Sequence, residues 1–310
     1  MPDLSVVIPV YLAEACLQAL HERLIVVLQS LGLSYEIIFI EDHGPDNSWA
    51  VLVGLAERDP QVRCYQLSRN FGQHAAITAG LSQSLGSYVV VMDCDLQDPP
   101  EAIPQLVHQA KAGNDVVLAK RKEKQHSFFR RLSASLYFRL MNQLTRQNLN
   151  GKYGSFSLIS RKVVNAFLRV GDVNRHYLFI VQWLGFATTD IEYVHAERYS
   201  GESSYTLKKL IQHALQGLFF QTTVLLHWIV YLGFASAIAG ILVAIFLIYQ
   251  YMLHAGLPGW TSLAVLILVM SGLILICIGV VGSYLGKIFE QVQGRPVFII
   301  DKSSPGEPAI

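Results

Sequence analysis

The sequence predicts an α/β protein. A wound, mostly parallel sheet with helices on both faces is followed by interfacial helices and two transmembrane helices. Two observations indicate this fold class. Short β-branched apolar runs alternate with longer amphipathic runs through the first 120 residues, as in chains built from βαβ units. Farther along, the 77 residues from Leu210 to Gly286 contain no Asp, Glu, Lys or Arg, which favours membrane insertion over a soluble core.

Five runs have the nearly continuous apolar character of strands buried on both faces. These predicted strands are LSVVIPV (4–10), YEIIFIE (35–41), VRCYQLS (62–68), YVVVMD (88–93) and DVVLAK (115–120). The predicted helices between them cover residues 13–31, 46–58, 73–85 and 100–112. Polar residues collect where four of the strands end, and such sheets bind ligands beyond the carboxyl ends of their strands. The first strand is not followed by GxGxxG, so a dinucleotide-binding fold has little support.

Two apolar runs, at about 227–251 and 261–285, reach the roughly 20 residues that a membrane-spanning helix needs. Basic residues precede the first run and follow the second, and the turn between them has none, which predicts that both termini are cytoplasmic. The first residues, MPDLSVVIPV, do not resemble a signal peptide. We therefore expect a cytoplasmic domain at 1–202, an amphipathic juxtamembrane segment at 203–224, two transmembrane helices at 225–286 and a cytoplasmic tail at 287–310.

Two segments suggest contact with a lipid bilayer. Residues 205–218 place apolar side chains on one helical face and Lys, Gln and His on the other, as interfacial helices do. Residues 119–131 carry six basic residues against one acid, with two phenylalanines among them; this suits the headgroup level of a membrane. A solvated helix start is the alternative for the basic segment. The net charge of +1 gives no reason to expect nucleic-acid binding.

The stretch MDCDLQDPPE (92–101) has the chemistry of a cation site. Asp93 and Asp95 follow a buried strand, and hard oxygen ligands suit Mg²⁺ or Mn²⁺. Such a cation binds through one or two carboxylates together with substrate phosphates. Two aspartates in a turn commonly just cap or solvate the turn. The cation-site interpretation therefore depends on the buried strand before them and the two prolines after them.

Taken together, six segments resemble family 2 glycosyltransferases of the GT-A fold. More closely they resemble the polyprenyl-phosphate glycosyltransferases, which include dolichol-phosphate mannosyltransferase and bacterial bactoprenol glucosyltransferases. The segments are VVIPVY (6–11), IEDHGPDNS (40–48), LSRNFGQHAAITAG (67–80), MDCDLQDPPE (92–101), RYSGESSYTLKKL (198–210) and GSYLGKIFEQVQGRP (282–296).

The resemblance implies a role for each matching residue. Pro9, Tyr11 and Asp42 would hold the base and ribose of a nucleotide. Asp93, Asp95 and Gln97 would hold Mg²⁺ or Mn²⁺ against the diphosphate. The sugar diphosphate or the lipid phosphate would be met by Arg121, Arg131, Ser135 and Arg198. Taken alone, Arg121 could equally be a solvated charge.

Three positions depart from the family pattern. Tyr11-Leu12-Ala13 stands where Tyr-Asn-Glu is usual, so Glu14 is the candidate to replace a lost nucleotide contact. Ser155 stands where relatives often carry an aspartate proposed as a base, and Ser283 where they often carry Glu. A phosphate acceptor is already mostly dianionic at neutral pH and needs positioning rather than deprotonation. Ser155 therefore favours a phosphate over a sugar hydroxyl as acceptor.

The resemblance implies inverting transfer of a sugar from a nucleotide diphosphate-sugar to a polyprenyl phosphate. UDP-glucose is the first expectation for the donor, with UDP-N-acetylglucosamine and GDP-mannose open. One alternative is a membrane-anchored nucleotide-sugar-binding scaffold without turnover. A processive polysaccharide synthase is a weaker one, because Gln182-Trp183 lacks the arginine of the Q-x-x-R-W motif.

Small residues spaced four apart in both apolar runs permit close helix contact and hence a homo-oligomer. The four cysteines show no paired metal spacing, which suggests a reduced compartment. On sequence alone we interpret all four as packing residues. A bacterial inner membrane, with the catalytic domain in the cytoplasm, is the expected location.

Overall fold

The computed structural model describes residues 1–121, 153–173, 175–194, 224–253 and 259–304. These residues fall into two compact units. One unit contains the described residues up to 194 together with 295–304, and the other contains the helices at 224–253 and 259–294.

The first unit is an α/β domain, and all five predicted strands are present in it. Its elements are β1 (Leu4–Val10), α1 (Glu14–Ser30), β2 (Tyr35–Glu41), α2 (Ser48–Arg58), β3 (Val62–Leu67), α3 (Gln73–Gln83), β4 (Tyr88–Val91), a 3₁₀ turn (Pro100–Ala102), α4 (Ile103–Lys111), β5 (Val116–Arg121), β6 (Tyr153–Ser160), α5 (Arg161–Arg169), α6 (Tyr177–Trp183), β7 (Thr188–Tyr193) and β8 (Ile300–Ser303). The predicted helix at 100–112 begins with the 3₁₀ turn, and β4 ends two residues before Asp93.

The eight strands form one sheet in the order β7-β5-β6-β4-β1-β2-β3-β8. The β1–β2, β1–β4, β2–β3 and β5–β7 pairs are parallel, whereas β3–β8, β4–β6 and β5–β6 are antiparallel. The mostly parallel sheet is confirmed. Sequence patterning missed the three strands β6, β7 and β8, and β6 runs antiparallel between β4 and β5.

Helices cover both faces of the sheet, as predicted. On one face α1, α2 and α4 pack over a core that includes Leu17, Leu52 and Leu106. On the other face α3, α5 and α6 pack over a second core. Helix α3 lies so close to the sheet that a Cβ at Gly80 would be 2.2 Å from Val7 Cγ1, so only glycine fits there.

At the amino edge of the sheet, where the parallel strands begin, a buried polar network joins β1, β2 and β3. Glu36 is almost fully buried. Its carboxylate accepts hydrogen bonds from Ser5 Oγ at 2.6 Å, from the Leu85 N–H at 2.7 Å and from Arg63 Nη1 at 2.8 Å. Every carboxylate oxygen of this buried acid is therefore satisfied, as buried charges require.

The second unit contains two long helices, α7 (Val224–Leu253) and α8 (Trp260–Val292). Within the described residues, one segment, Met270–Val292 of α8, is long and apolar enough to cross a membrane. Helix α7 contains a shorter apolar stretch, Ile229–Val243. A span in α8 is thus supported by length and composition, and a second span in α7 stays a prediction.

Candidate active site

The carboxyl edge of the sheet, where the parallel strands end, holds the predicted cation loop. Asp93, Asp95 and Gln97 lie in the loop that follows β4. Between the last two, Leu96 has the left-handed backbone angle φ = 60°, which allows the Gln97 N–H to reach Asp95 Oδ1 at 3.1 Å. A buried leucine in this conformation is unusual and costs about 1 kcal/mol, so the surrounding packing must enforce the shape of the loop.

Asp93 is held by two neighbouring elements. Its Oδ1 atom accepts a hydrogen bond from Ser155 Oγ of β6 at 2.6 Å and another from Gln73 Nε2 of α3 at 2.7 Å. Burial, followed by the charge of Asp98, raises the pKa of Asp93 to about 6. An ionised carboxylate in this position is unfavourable until a positive charge approaches it.

A trio of side chains connects the cation loop to two strand ends: Asp98 of the loop and Tyr193 are buried, and Arg121 is half-buried. Tyr193, at the end of β7, donates a hydrogen bond of 2.6 Å to Asp98 Oδ1, and Arg121 Nε, at the end of β5, lies 3.2 Å from the Tyr193 oxygen. Arg121 Nη2 also lies 3.9 Å from Asp98 Oδ1. Arg121 is therefore a positioned cation and not merely a solvated charge. Its guanidinium packs over Gly154, where a Cβ would be only 2.7 Å from Nη2.

Asp98 is fully buried, and burial raises its pKa while the Tyr193 hydroxyl opposes that rise. Burial and the charge of Asp98 also raise the pKa of Tyr193, so the hydroxyl keeps the proton that it donates. Sequence reasoning noted Asp98 in its loop but assigned it no role, and it missed Tyr193 and Gln73 altogether. No local motif marks Tyr193, because its contact with Asp98 spans 95 residues.

The candidate nucleotide residues lie on neighbouring strand ends of the same edge. Asp42 is buried, and its two carboxylate oxygens accept the N–H groups of Phe71 at 2.7 Å and Gly72 at 2.8 Å. Burial raises the pKa of Asp42. This aspartate thus holds the loop between β3 and α3 in place.

The other candidate nucleotide residues follow β1. Pro9 is buried in β1 beside Ile40, whereas Tyr11 is exposed. Glu14 Oε2 accepts the Asn47 N–H at 3.2 Å, so this carboxylate connects the loops that follow β1 and β2. The structure brings Pro9, Tyr11, Glu14, Asp42, Asp93, Asp95, Gln97 and Arg121 to one edge of the sheet. Arg131, Ser135 and Arg198 lie outside the described residues.

The loop after β4 suits a hard divalent cation. Across the residues that the structure describes, no three His, Cys, Asp or Glu side chains converge as a complete set of metal ligands. Mg²⁺ and Mn²⁺ do not need such a set, because they bind through one or two carboxylates and take the remaining ligands from water and substrate phosphates. Burial and, after it, the charge of Asp98 raise the pKa of Asp93, and a bound cation would offset both, so the residues fit.

The α/β sheet thus brings the carboxyl-edge aspartates and the half-buried Arg121 together at one edge. Residues 5–168 match the family model Glycosyl transferase family 2, and the chain belongs to this family. This match includes both aspartates of the cation loop, Arg121 and Ser155.

Two similar proteins extend the match to nearly the whole chain. The chain is 34% identical to the SfII prophage-derived bactoprenol glucosyl transferase of Shigella flexneri, over 98% of this chain and 99% of that protein. It is 35% identical to the undecaprenyl-phosphate 4-deoxy-4-formamido-L-arabinose transferase of Serratia proteamaculans, over 98% of this chain and 94% of that protein.

Among solved structures, the chain resembles glucosyl-3-phosphoglycerate synthase from Mycobacterium tuberculosis, crystallised with Mn²⁺, uridine diphosphate and phosphoglyceric acid. The TM-score is 0.51 at 18% identity, over 70% of this chain and 76% of that one. At this identity the likeness concerns the fold, and it supports a GT-A-like fold for the α/β unit.

Proposed function

We propose that the protein transfers a sugar from a nucleotide diphosphate-sugar to the phosphate of a polyprenyl phosphate at a membrane surface. The observation that carries this proposal is the loop after β4, which places Asp93 and Asp95 beside the Asp98–Tyr193–Arg121 trio. The proposal is also supported by two relatives, named a bactoprenol glucosyl transferase and an undecaprenyl-phosphate 4-deoxy-4-formamido-L-arabinose transferase, which match nearly the whole chain.

On the donor side, Asp93, Asp95 and Gln97 would hold Mg²⁺ or Mn²⁺. When bound, the cation supplies positive charge to the diphosphate leaving group. Arg121 adds a fixed guanidinium whose planar fork suits phosphate oxygens. Pro9, Tyr11, Glu14 and Asp42 would shape the nucleotide pocket, with Asp42 acting through the loop that it holds.

On the acceptor side, a phosphate oxygen attacks the anomeric carbon. The new carbon–oxygen bond forms as the bond to the nucleoside diphosphate breaks, and that electron pair leaves with the diphosphate. A single in-line displacement of this kind inverts the anomeric centre. No proton has to be removed from a phosphate dianion, which agrees with Ser155, rather than a carboxylate, on β6 beside Asp93. Arg131, Ser135 and Arg198 would meet the sugar diphosphate or the lipid phosphate.

The two long helices would form two membrane spans, with both termini and the α/β unit in the cytoplasm of a bacterium. Small residues in the helices would allow a homo-oligomer. UDP-glucose is the proposed donor, because a relative that matches 98% of this chain is named a bactoprenol glucosyl transferase.

The test uses detergent-purified full-length protein, undecaprenyl phosphate, Mg²⁺ or Mn²⁺, and a panel of radiolabelled UDP- and GDP-sugars. We expect label from one donor to enter the organic phase, and we expect EDTA or Asp95→Ala to prevent this. Asp301→Ala, which removes an exposed aspartate of β8, is the matched control and should leave transfer intact. Nucleotide binding without transfer from any donor would instead support a scaffold.

A further inference from the structure

The two hydrogen bonds that the Asp93 side chain receives end on the same carboxylate oxygen. Ser155 Oγ donates to Oδ1 at 2.6 Å, and Gln73 Nε2 donates to it at 2.7 Å. Within the part of the chain that the structure describes, no donor reaches Oδ2. A carboxylate turns easily about its last bond, because that torsion has a broad, two-fold profile. Two donors on one oxygen therefore fix the carboxylate and leave Oδ2 as the oxygen that a cation can use.

Ser155 owes its place beside Asp93 to the register of the sheet. Strand β6 runs antiparallel to β4 and pairs Ser157 with Val91. Continuing that register by two residues places Ser155 directly opposite Asp93. The hydroxyl donor is thus positioned by the strand ladder and not by the cation loop itself.

Gln73 reaches Asp93 from the other side, as the first residue of α3. The two residues before it, Phe71 and Gly72, donate their N–H groups to the buried Asp42 at 2.7 Å and 2.8 Å. Gly72 has φ = 93°, a conformation that glycine adopts without steric cost. The amide donor is therefore carried by a loop that is anchored independently of the cation loop.

We propose that Gln73 and Ser155 are positioning residues that hold Asp93 for a small divalent cation and favour Mg²⁺ over Ca²⁺. This inference rests on the proposed function, which places the cation at Asp93. Mg²⁺ demands a near-ideal octahedral arrangement of its ligands, whereas Ca²⁺ accepts a flexible one with more oxygens. A carboxylate that cannot turn suits Mg²⁺, and a carboxylate that is released suits Ca²⁺ better.

The sign of the effect on affinity separates positioning from a simple change in charge. Removing a donor leaves more negative charge on the Asp93 carboxylate, which by itself would strengthen cation binding. Losing the fixed orientation weakens binding, and removing a hydrogen-bond partner of a metal ligand typically costs about 10- to 100-fold in metal affinity. The loss of orientation should dominate, because an ion that takes only one or two protein carboxylates depends on the placement of each.

The test follows Mn²⁺ binding to detergent-purified full-length protein by electron paramagnetic resonance, with and without UDP or GDP, so it needs no sugar transfer. The pH is 8, where Asp93, with a pKa of about 6, is ionised. Ser155→Ala and Gln73→Met remove one donor each, and each should weaken Mn²⁺ binding about tenfold. Ser155→Thr keeps a hydroxyl and should restore most of the affinity. With Mg²⁺ and Ca²⁺ as competitors, the preference for Mg²⁺ should fall by roughly threefold or more in both variants.

Matched controls remove the same groups elsewhere on the same two elements. Ser160, also on β6, donates its hydroxyl to Asp115 Oδ1 at 3.0 Å at the amino edge, and Gln83 is the last residue of α3. Ser160→Ala and Gln83→Met should change neither the Mn²⁺ affinity nor the preference for Mg²⁺. Gln73 is exposed, so Gln73→Met keeps the test decisive if Ser155→Ala fails to fold.

Unchanged or tighter Mn²⁺ binding in Gln73→Met and Ser155→Ala, or an equal loss in Ser160→Ala, would overturn the inference. Weaker Mn²⁺ binding with an unchanged preference for Mg²⁺ would overturn the role in selectivity. Wild-type protein that binds no Mn²⁺ would overturn the inference together with the proposed cation site. The expected changes in a protein that transfers no sugar from any donor would support the positioning roles and reject only the proposed reaction.

Discussion

The two edges of the sheet use left-handed backbone positions differently. At the amino edge, the described residues with positive φ are Gly32, Gly113 and Gly185, each of which follows a helix. At the carboxyl edge they are Leu12, His43, Leu96 and Gly72. Glycine takes this conformation without a steric cost, whereas leucine does not.

The acidic residues of the two edges also differ, in whether their surroundings stabilise the ionised carboxylate. Glu36 at the amino edge receives three hydrogen bonds, and the contact with Lys162 lowers the pKa of Asp115. At the carboxyl edge, burial raises the pKa of Asp93 and Asp98. One edge is therefore arranged for stability, while the other carries strain and unfavourable charge that a ligand could relieve.

The largest expected effect is the loss of transfer in Asp93→Asn. The amide can keep neutral hydrogen bonds to Ser155 and Gln73, but it loses the negative charge that a cation requires. Transfer should fall at least 100-fold, a loss of about 3 kcal/mol of transition-state stabilisation. A radiolabel assay at saturating Mg²⁺ measures it, and a variant within tenfold of wild type would contradict the role of Asp93 as a ligand.

The same variant should be more stable without metal at neutral pH. The folded-state pKa of Asp93 is about 6, above its usual value of 3.8. The folded protein therefore holds an extra proton between about pH 4 and pH 6, and its stability falls as pH rises through this window. Removing the charge should raise the free energy of unfolding at pH 7.5 by up to about 2 kcal/mol. Thermal unfolding in EDTA, compared at pH 5 and pH 7.5, checks the sign.

Glu36→Ala at the amino edge should produce the opposite outcome. It leaves Arg63, Ser5 and the Leu85 N–H without their shared acceptor, and breaking a buried ion pair typically costs about 3–5 kcal/mol. The melting temperature should fall sharply, while transfer per folded molecule should stay within about twofold. If transfer per folded molecule fell as far in Glu36→Ala as in Asp93→Asn, the proposal that the amino edge serves stability and the carboxyl edge serves activity would be wrong.

The strands and helices up to residue 121 could be predicted because their hydrophobic periods are local. Strands β6 and β8 could not, since each is defined by its partners: β6 joins β4 and β5, and β8 returns to β3 after the two long helices α7 and α8. The site residues likewise divide into those that a local motif predicts and those that only the fold brings together. Asp93 and Asp95 stand in one motif, but Tyr193 and Ser155 reach the loop only through the order of the strands.

Tyr193→Phe should have an intermediate effect on transfer. It removes the hydroxyl that donates to Asp98 and that lies beside Arg121. A hydrogen bond to a buried charged group contributes about 1.5–3 kcal/mol, so we expect transfer to fall roughly 10- to 100-fold. Tyr153→Phe, which removes a hydroxyl bonded to the exposed Asp190, is the matched control. Equal activities of the two variants would show that the trio does not position Arg121.

Acid should destabilise the carboxyl edge through two histidines whose rings lie against each other. The rings of His74 and His176 lie 4.1 Å apart, and His176 also stacks on Phe179 at 3.9 Å. Burial lowers the pKa of His74 to about 4 and, together with His74, that of His176 to about 3.

Between about pH 6.5 and pH 4 the unfolded chain therefore binds more protons than the folded protein does. The stability that this pair contributes is lost as pH falls through that window. The slope is roughly 1 kcal/mol per pH unit for each histidine, and Asp93 opposes part of it. His176→Phe should flatten the fall in melting temperature between pH 7 and pH 5, whereas His108→Gln, at an exposed position, should not. An unchanged slope in His176→Phe would reject this origin.

The smallest effects are expected from substitutions at left-handed backbone positions, where a leucine is replaced by glycine at one edge and a glycine by alanine at the other. Leu12 is exposed and has φ = 53°, whereas Gly32 has φ = 63° and open space, with nothing within 4 Å of the point that a Cβ would occupy. Leu12→Gly should relieve about 1 kcal/mol of strain, less the added freedom of the unfolded chain. Gly32→Ala should cost about 1 kcal/mol, because it places a Cβ in the left-handed region without any clash. Thermal unfolding measures both variants. If the strain at Leu12 helps to shape the nucleotide site, Leu12→Gly should also weaken nucleotide binding, whereas Gly32→Ala should leave it unchanged. Equal nucleotide binding by the two variants would mean that the strain at Leu12 has no role in the site.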